Sequence, residues 1–480
     1  MNPINRRAFL AAATTVGVTT FSSNIRAAQT QDIRVAVIGV RSRGNEHLQA
    51  LGNNVVAICD VDETILHERS ELAEQKFGRS IERFVDYRRL LDEADIDAVS
   101  IATPNHTHAL IAIAAIQAGI DVYVEKPISH DVWEGQQLVA AARQYGRIVQ
   151  SGTQARSSSA IAEAVEWIQQ GGLGKIIYAV GTCYKPRMSI GKLSSPLTIP
   201  KSLHYDLWCG PAKMQEIFRP ELHYDWHWDF NTGNGDIGNQ GIHQVDIARW
   251  FLGEDQLPPR VLSIGGRFGY DDAGNTPNTQ IAYFDYAKAP LLFETRGLPR
   301  SQQAQSDWKS SMDAYRGSKI GVVIQCEQGH VLVPSYHEAI AIDRDGREVK
   351  HWKQSNDHFA NWLDAVARQD QTVLTGDIQQ GHISSALCHL AGISHRVGEA
   401  SSPDAVAEQF IGNELLANSF DRLVGHLRAN NVPLNDNNTK LRMGKWLELD
   451  PAGTEVINNS EATAMLRPPS RPPFVIPEVT

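Results

Sequence analysis

The chain is 480 residues long, 42% hydrophobic and 21% charged, with a formal net charge of -10 at pH 7. That length allows two or more domains with a sizeable core, while the acid excess and the lack of any basic cluster argue against a nucleic-acid partner. No run of roughly eighteen uncharged apolar residues occurs, so no membrane span is expected in the mature protein.

Residues 1–28 place Arg6 and Arg7 before Phe9-Leu10 and a mildly apolar stretch rich in Ala and Thr that ends near Ala27-Ala28. This layout predicts a twin-arginine signal peptide and a periplasmic or secreted protein that folds before export; the alternative is a plain N-terminal tail. The segment holds three arginines and no acid, so its removal takes the formal charge from -10 to -13. Cys59, Cys183, Cys209, Cys326 and Cys388 are scattered without CxxC spacing, so neither a disulfide framework nor a metal site is expected.

Four short apolar runs follow: "IRVAVIGV" (33–40), "NVVAICD" (54–60), "DAVSIATP" (97–104) and "GIDVYV" (119–124). Helical segments such as "ETILHERSELAEQKFG" and "HALIAIAAIQAG" lie between them. Strands alternating with helices predict βαβ units, a parallel sheet and an α/β Rossmann dinucleotide-binding domain over 29–155. Past residue 155 the runs "KIIYAVGTCYK", "RVLSIGGRFGY", "NTQIAYFDY", "PLLFETRG" and "KIGVVIQCEQGHVLV" have few helices between them. They predict an α+β domain over 156–480 with a large, mainly antiparallel open sheet. A late helical block is expected to pack back on the body, and the closing "RPPSRPPFVIPEVT" to form a proline-rich strap.

The first strand leads into "GVRSRG", a G-x-G-x-x-G pattern with Gly39 and Gly44 at its ends and Arg41 in the middle glycine position. Ser42 and Arg43 complete the turn, where a pyrophosphate is expected, with the arginines neutralising it. Asp60 closes the second strand, near the spacing expected of the acid that binds the adenosine ribose, and so favours NAD over NADP. At the end of the fourth strand stand Glu125 and Lys126, with Pro127 next; ligands in open α/β sheets bind beyond such strand ends.

The segment from "SIATPNHTH" to "YVEKPIS", followed by "GDIGNQGIHQVDIARWFLG", resembles the Gfo/Idh/MocA (glucose–fructose oxidoreductase / inositol dehydrogenase) family, in particular its secreted, twin-arginine-exported branch. The likeness extends over nearly all of the mature chain. It implies that Lys126 sits beside the nicotinamide and the reacting carbon, that Glu125 contacts the nicotinamide ribose, and that His243 accepts a proton. The family commonly has an aspartate where this chain has Asn239, and Asp236 or Asp246 is expected to compensate. Thr103, Pro104, Asn105, His108 and Gln154 complete the candidate cofactor contacts. The Lys126-Pro127 bond is expected to be cis.

Asn239, His243, Asp246 and Trp250 fall on one helical face by spacing. The segment 204–233 is dense in His, Tyr and Trp, suited to stacking on a sugar ring, with an aromatic core as the rival reading. Tyr184, Lys185, Tyr224, Trp226 and Asp246 are the candidate substrate contacts. His223 and His227 form an i, i+4 pair, but without a third ligand no metal is expected. The expected function is an NAD(P)-dependent oxidoreductase of a carbohydrate or cyclitol hydroxyl, holding its cofactor tightly and assembling as a homo-oligomer. The alternative is a redox-neutral enzyme that cleaves glycosides by transient C3 oxidation and elimination.

Overall fold

A computed structural model describes residues 30–307, 311–434 and 441–479; the expected signal peptide lies outside them. The first sheet is wholly parallel, with strands β1 (Val35–Ile38), β2 (Val55–Cys59), β3 (Glu82–Phe84), β4 (Ala98–Ile101), β5 (Asp121–Val124) and β6 (Val149–Ser151). Their spatial order is β3-β2-β1-β4-β5-β6, which reverses direction between β1 and β4. That switch point opens a crevice at the carboxyl ends of the strands. Every residue of β1, β4 and β5 is buried, because helices cover both faces of the sheet.

The second sheet has eleven strands. In chain order they are β7 (Ile176–Cys183), β8 (Arg260–Gly266), β9 (Thr279–Phe284), β10 (Leu291–Arg296), β11 (Ile320–Cys326), β12 (Gly329–Ser335), β13 (Glu338–Asp343), β14 (Glu348–Lys353) and the short β15 (Glu399–Ala400), β16 (Arg442–Met443) and β17 (Leu447–Glu448). Only the β7–β10 pair runs parallel; the other named pairs are antiparallel. The strand-like run "KIGVVIQCEQGHVLV" is a hairpin turned at Glu327-Gln328. Helices Ile242–Leu252 and Ile378–Arg396 cover one face of this sheet, and Glu414–Ala429 packs on the other.

Sequence order does not respect the two domains. The helix His358–Arg368 returns to the first sheet, where Trp362 is fully buried with Val37, Ile58 and Tyr123. Phe474 and Ile476, from the proline-rich end, join the core on the other face of that sheet. All five cysteines are buried and unpaired.

Candidate active site

A cleft runs along the carboxyl ends of β1, β2, β4 and β5. At one wall the chain leaves β1 through Gly39, whose φ is +81°. A Cβ at Gly39 would lie 2.8 Å from the Thr103 amide nitrogen, and one at Gly44 would lie 1.7 Å from the Gly39 oxygen. The motif therefore needs glycine at both ends, first for the left-handed turn and then for close helix–strand contact. Arg41, in the middle position, has an extended backbone at the N-cap of the helix Ser42–Leu51 and no such need. Arg41, Ser42 and Arg43 line the cleft at that helix start, where free N–H groups suit a pyrophosphate.

Asp60 accepts the Val40 N–H at 2.9 Å and the Asp62 N–H at 3.0 Å. Burial, the largest influence, still raises its carboxyl pKa above the usual range. Two ribose hydroxyls would supply the donors this carboxylate lacks. Thr103, Pro104 and Asn105 form the opposite lip, and the Asn105 Oδ1 is buried with no partner, an acceptor turned to the cleft. His108 also lines the cleft, but its ring nitrogens lie 2.6 Å from the Pro127 carbonyl and 2.7 Å from that of Thr103, so it staples two loops together. These glycines, the ribose-reading acid and the unpartnered acceptor fit a nicotinamide dinucleotide.

Glu125 and Lys126 end β5, and the Lys126-Pro127 bond is cis. The Glu125 Oε1 accepts from Arg43 Nε at 2.7 Å and Gln154 Nε2 at 3.0 Å, and lies 3.2 Å from His47 Nε2. Burial opposes its ionisation, yet Arg43 and His47 hold the carboxyl well below its usual pKa. Arg43 is thus a partner of Glu125 as much as a phosphate ligand, and Gln154 reaches the site only through Glu125. The Lys126 Nζ donates to the Asn239 carbonyl at 2.7 Å, and burial lowers its pKa.

Residues 237–241 form one π-helical turn before the α-helix Ile242–Leu252. Such wider turns recur at functional sites; this one presents the Asn239 carbonyl, rather than its amide, to Lys126. The Asn239 side chain bonds Asp236, which is fully buried and paired with Arg187 at 2.6 Å. Asp236 is therefore the acid next to Asn239. One turn on, the His243 ring packs tilted against Tyr336 with centroids 4.8 Å apart, and its Nδ1 is buried without a partner. Burial, then the Lys126 charge, pushes its pKa down to about 3, so the ring is a neutral acceptor at neutral pH.

Three expected substrate contacts need correction. Asp246 is bound by Arg156 at 2.8 Å and by the Ser384 hydroxyl at 2.8 Å, and it does not line the cleft. The Tyr184 hydroxyl donates to Glu294 at 2.7 Å inside the second domain. Lys185 is exposed and away from the cleft. Helical phase and composition cannot reveal a competing ion pair contributed by a distant segment. Tyr224 and Trp226 do line the cleft. His223 bonds Asp62 at 2.9 Å while His227 bonds the Tyr224 carbonyl at 2.8 Å, so the two do not converge as ligands. The sequence reading passed over Tyr336 and Arg187 beside the site, and it weighed His227 only as a metal ligand. The Nδ1–H of His227 is committed to Tyr224, and its Nε2 is buried, unpartnered and part of the cleft wall.

Residues 33–153 match the family model "Oxidoreductase family, NAD-binding Rossmann fold", and residues 175–294 match "Oxidoreductase family, C-terminal alpha/beta domain". Inositol 2-dehydrogenase from Salmonella typhimurium is 25% identical over 235 residues, 48% of this chain and 57% of that protein. Inositol 2-dehydrogenase 3 from Saccharopolyspora erythraea is 24% identical over 363 residues, covering 70% of this chain and 85% of the relative. Levoglucosan dehydrogenase from Pseudarthrobacter phenanthrenivorans is 30% identical over 181 residues, 37% of this chain and 38% of that enzyme. The chain thus spans little more than half the length of the inositol 2-dehydrogenase of Salmonella. Among solved structures, the WlbA dehydrogenase from Bordetella pertussis, in complex with NADH and UDP-GlcNAcA, superposes with a TM-score of 0.52 at 20% identity, covering 75% of this chain and 96% of that one. UDP-N-acetylglucosamine 3-dehydrogenase from Acidithiobacillus ferrooxidans gives 0.51 at 18% identity, with 75% and 97% covered. At these identities the structural likeness is one of fold.

Proposed function

Because the chain belongs to the Gfo/Idh/MocA oxidoreductase family, we propose that it is an NAD-dependent oxidoreductase acting on a carbohydrate or cyclitol hydroxyl, with a tightly held cofactor. The observation that carries the reading is Lys126, a half-buried ammonium just past β5, held 2.7 Å from a carbonyl of the helical segment that also carries His243. When bound, NAD supplies the hydride acceptor. Lys126 donates to the substrate oxygen and stabilises the alkoxide as its C–H bond gives up a hydride. His243, neutral at working pH, takes the hydroxyl proton. The carbinol thereby loses two electrons and two hydrogens and becomes a carbonyl. Tyr224 and Trp226 offer faces for the C–H side of a sugar ring and exclude water.

One observation favours the redox-neutral alternative, in which oxidation at C3 acidifies the C2 proton, the aglycone is eliminated, and the hydride returns. That sequence needs a base beyond the one serving the C3 hydroxyl, and the His227 Nε2 is an unpartnered acceptor in the cleft wall. The two readings separate when the mature protein, loaded with NAD, is incubated with sugars, cyclitols and glycosides. Stoichiometric reduction of the cofactor supports the dehydrogenase. Release of aglycone with no net reduction supports cleavage, and neither event with any substrate rejects both.

Export by the twin-arginine route is part of this proposal, supported by Arg6, Arg7 and the apolar stretch after them. Cell fractionation of wild type against a variant carrying Arg6→Lys and Arg7→Lys tests it: the variant should stay in the cytoplasm.

A further inference from the structure

The motifs account for the phosphates and the ribose but not for what covers the adenosine end of the cleft. Beyond Asp60 that end is a slot with Val61, Tyr87 and Leu110 on its first-domain side. Two segments that sequence order assigns to the second domain close it. In the first, the His204 N–H donates to the Val61 carbonyl at 2.9 Å and the Ser202 carbonyl accepts from the Glu63 N–H at 2.9 Å, which stitches the segment onto the turn just after Asp60. This stitching brings Leu207 into the slot wall.

The second segment is the proline-rich end. Its Arg471 N–H donates to the Pro211 carbonyl at 2.9 Å, and its guanidinium reaches the Asp206 carboxylate at 2.6 Å and the Asp206 carbonyl at 2.8 Å. Arg471 thereby fastens the chain end to the first segment. Three residues later Phe474 enters the cleft wall, 3% exposed, with the guanidinium carbons of Arg471 and Arg88 4.9 and 5.3 Å from its ring centroid. Phe474 belongs to the same apolar cluster as Tyr87, Leu110 and Leu207. Farther on, the Val479 N–H donates to Gln137 at 2.7 Å and anchors the end of the described chain to the first domain.

We propose that these two segments form a clasp over the adenosine half of NAD, with Phe474 as a cofactor-contacting residue, so that the nucleotide leaves only when the clasp opens. The inference rests on the NAD reading above and deepens it: retention of the cofactor is assigned to the chain end. An aromatic side chain against a flat adenine supplies both contact area and a barrier to exit.

The test uses full-length mature protein loaded with 1,N6-etheno-NAD, whose adenine fluoresces, and chased with excess NAD. Phe474→Ala and Arg471→Ala should each release the probe at least about tenfold faster than wild type, equivalent to about 1.4 kcal/mol. Val475→Ser, at a strap position that is 53% exposed, should release it at the wild-type rate. Far-ultraviolet circular dichroism of each variant confirms that it is folded, and Arg471→Ala leaves the Phe474 ring itself intact. Wild-type rates in both clasp variants overturn the inference while leaving the NAD reading in place. A wild-type protein that binds neither the probe nor NAD overturns the NAD reading, and the clasp with it.

Discussion

In the proposed reaction, Lys126 is the residue on which the chemistry turns. Its side chain is half-buried, its ammonium is bonded to one carbonyl and next to the ionised Glu125, so it is both positioned and partly desolvated. Lys126→Ala should lower kcat by roughly 10²- to 10⁴-fold, the usual worth of a positioned proton-transfer group. Bound nucleotide, measured by mass spectrometry, should stay within a few-fold of wild type; equal loss of both would make Lys126 a cofactor anchor instead. Asp60 has the complementary role. Asp60→Ala should weaken NAD binding and narrow the preference for NAD over NADP, because a carboxylate repels a 2′-phosphate. A wild type that already prefers NADP would contradict this assignment. Both residues were legible in the sequence because strand ends and motif spacing fix where a side chain sits in a Rossmann unit. Asp246 and Tyr184 misled for the opposite reason: spacing gives phase along an element, not the identity of a buried partner such as Arg156 or Glu294.

At the scale of elements, the phosphate turn and the π turn show two ways in which a short segment earns its geometry. The Gly39–Gly44 turn was recognisable despite Arg41, since only the end positions are sterically bound to glycine. Gly44→Ala should destabilise the first domain by about 1–3 kcal/mol, as overpacking does, and should release nucleotide; a melting curve and a nucleotide assay read both effects. Gly425 makes the contrast. It lies in the helix Glu414–Ala429, where an added Cβ meets nothing within 4 Å, so Gly425→Ala should stabilise by about 0.5–1 kcal/mol. The π turn at 237–241 was invisible beforehand, because one extra residue in a turn leaves no mark on a pattern that spacing already fits. The strap was anticipated from its prolines, but its destination depends on contacts between residues far apart in the chain, and no local pattern encodes those.

For the whole molecule, acid sensitivity resides in imidazoles that burial keeps neutral. His106, between the carbonyls of Trp208 and Thr232, is pushed down to about 3 and His130 to about 4, both first of all by burial. His227, His382 and His395 fall to about 4 and His243 to about 3 for the same leading reason. A base whose folded pKa lies below its unfolded value near 6.5 adds stability that is complete above that value and is lost as pH falls toward the folded pKa. Two acids act in the opposite sense. Burial raises Asp131 to about 7 and Glu134 well above its usual value, so their contribution is present in acid and fades as pH rises. Below pH 6.5 unfolding frees these buried imidazoles to take up protons, so acid favours the unfolded chain. The melting temperature should therefore fall as pH drops from about 6.5 toward 4. Because His227 lines the cleft, bound nucleotide should be released over the same interval. A melting temperature that holds to pH 4 would mean that these rings are charged and paired in the folded state, and His243 could then no longer be the neutral base.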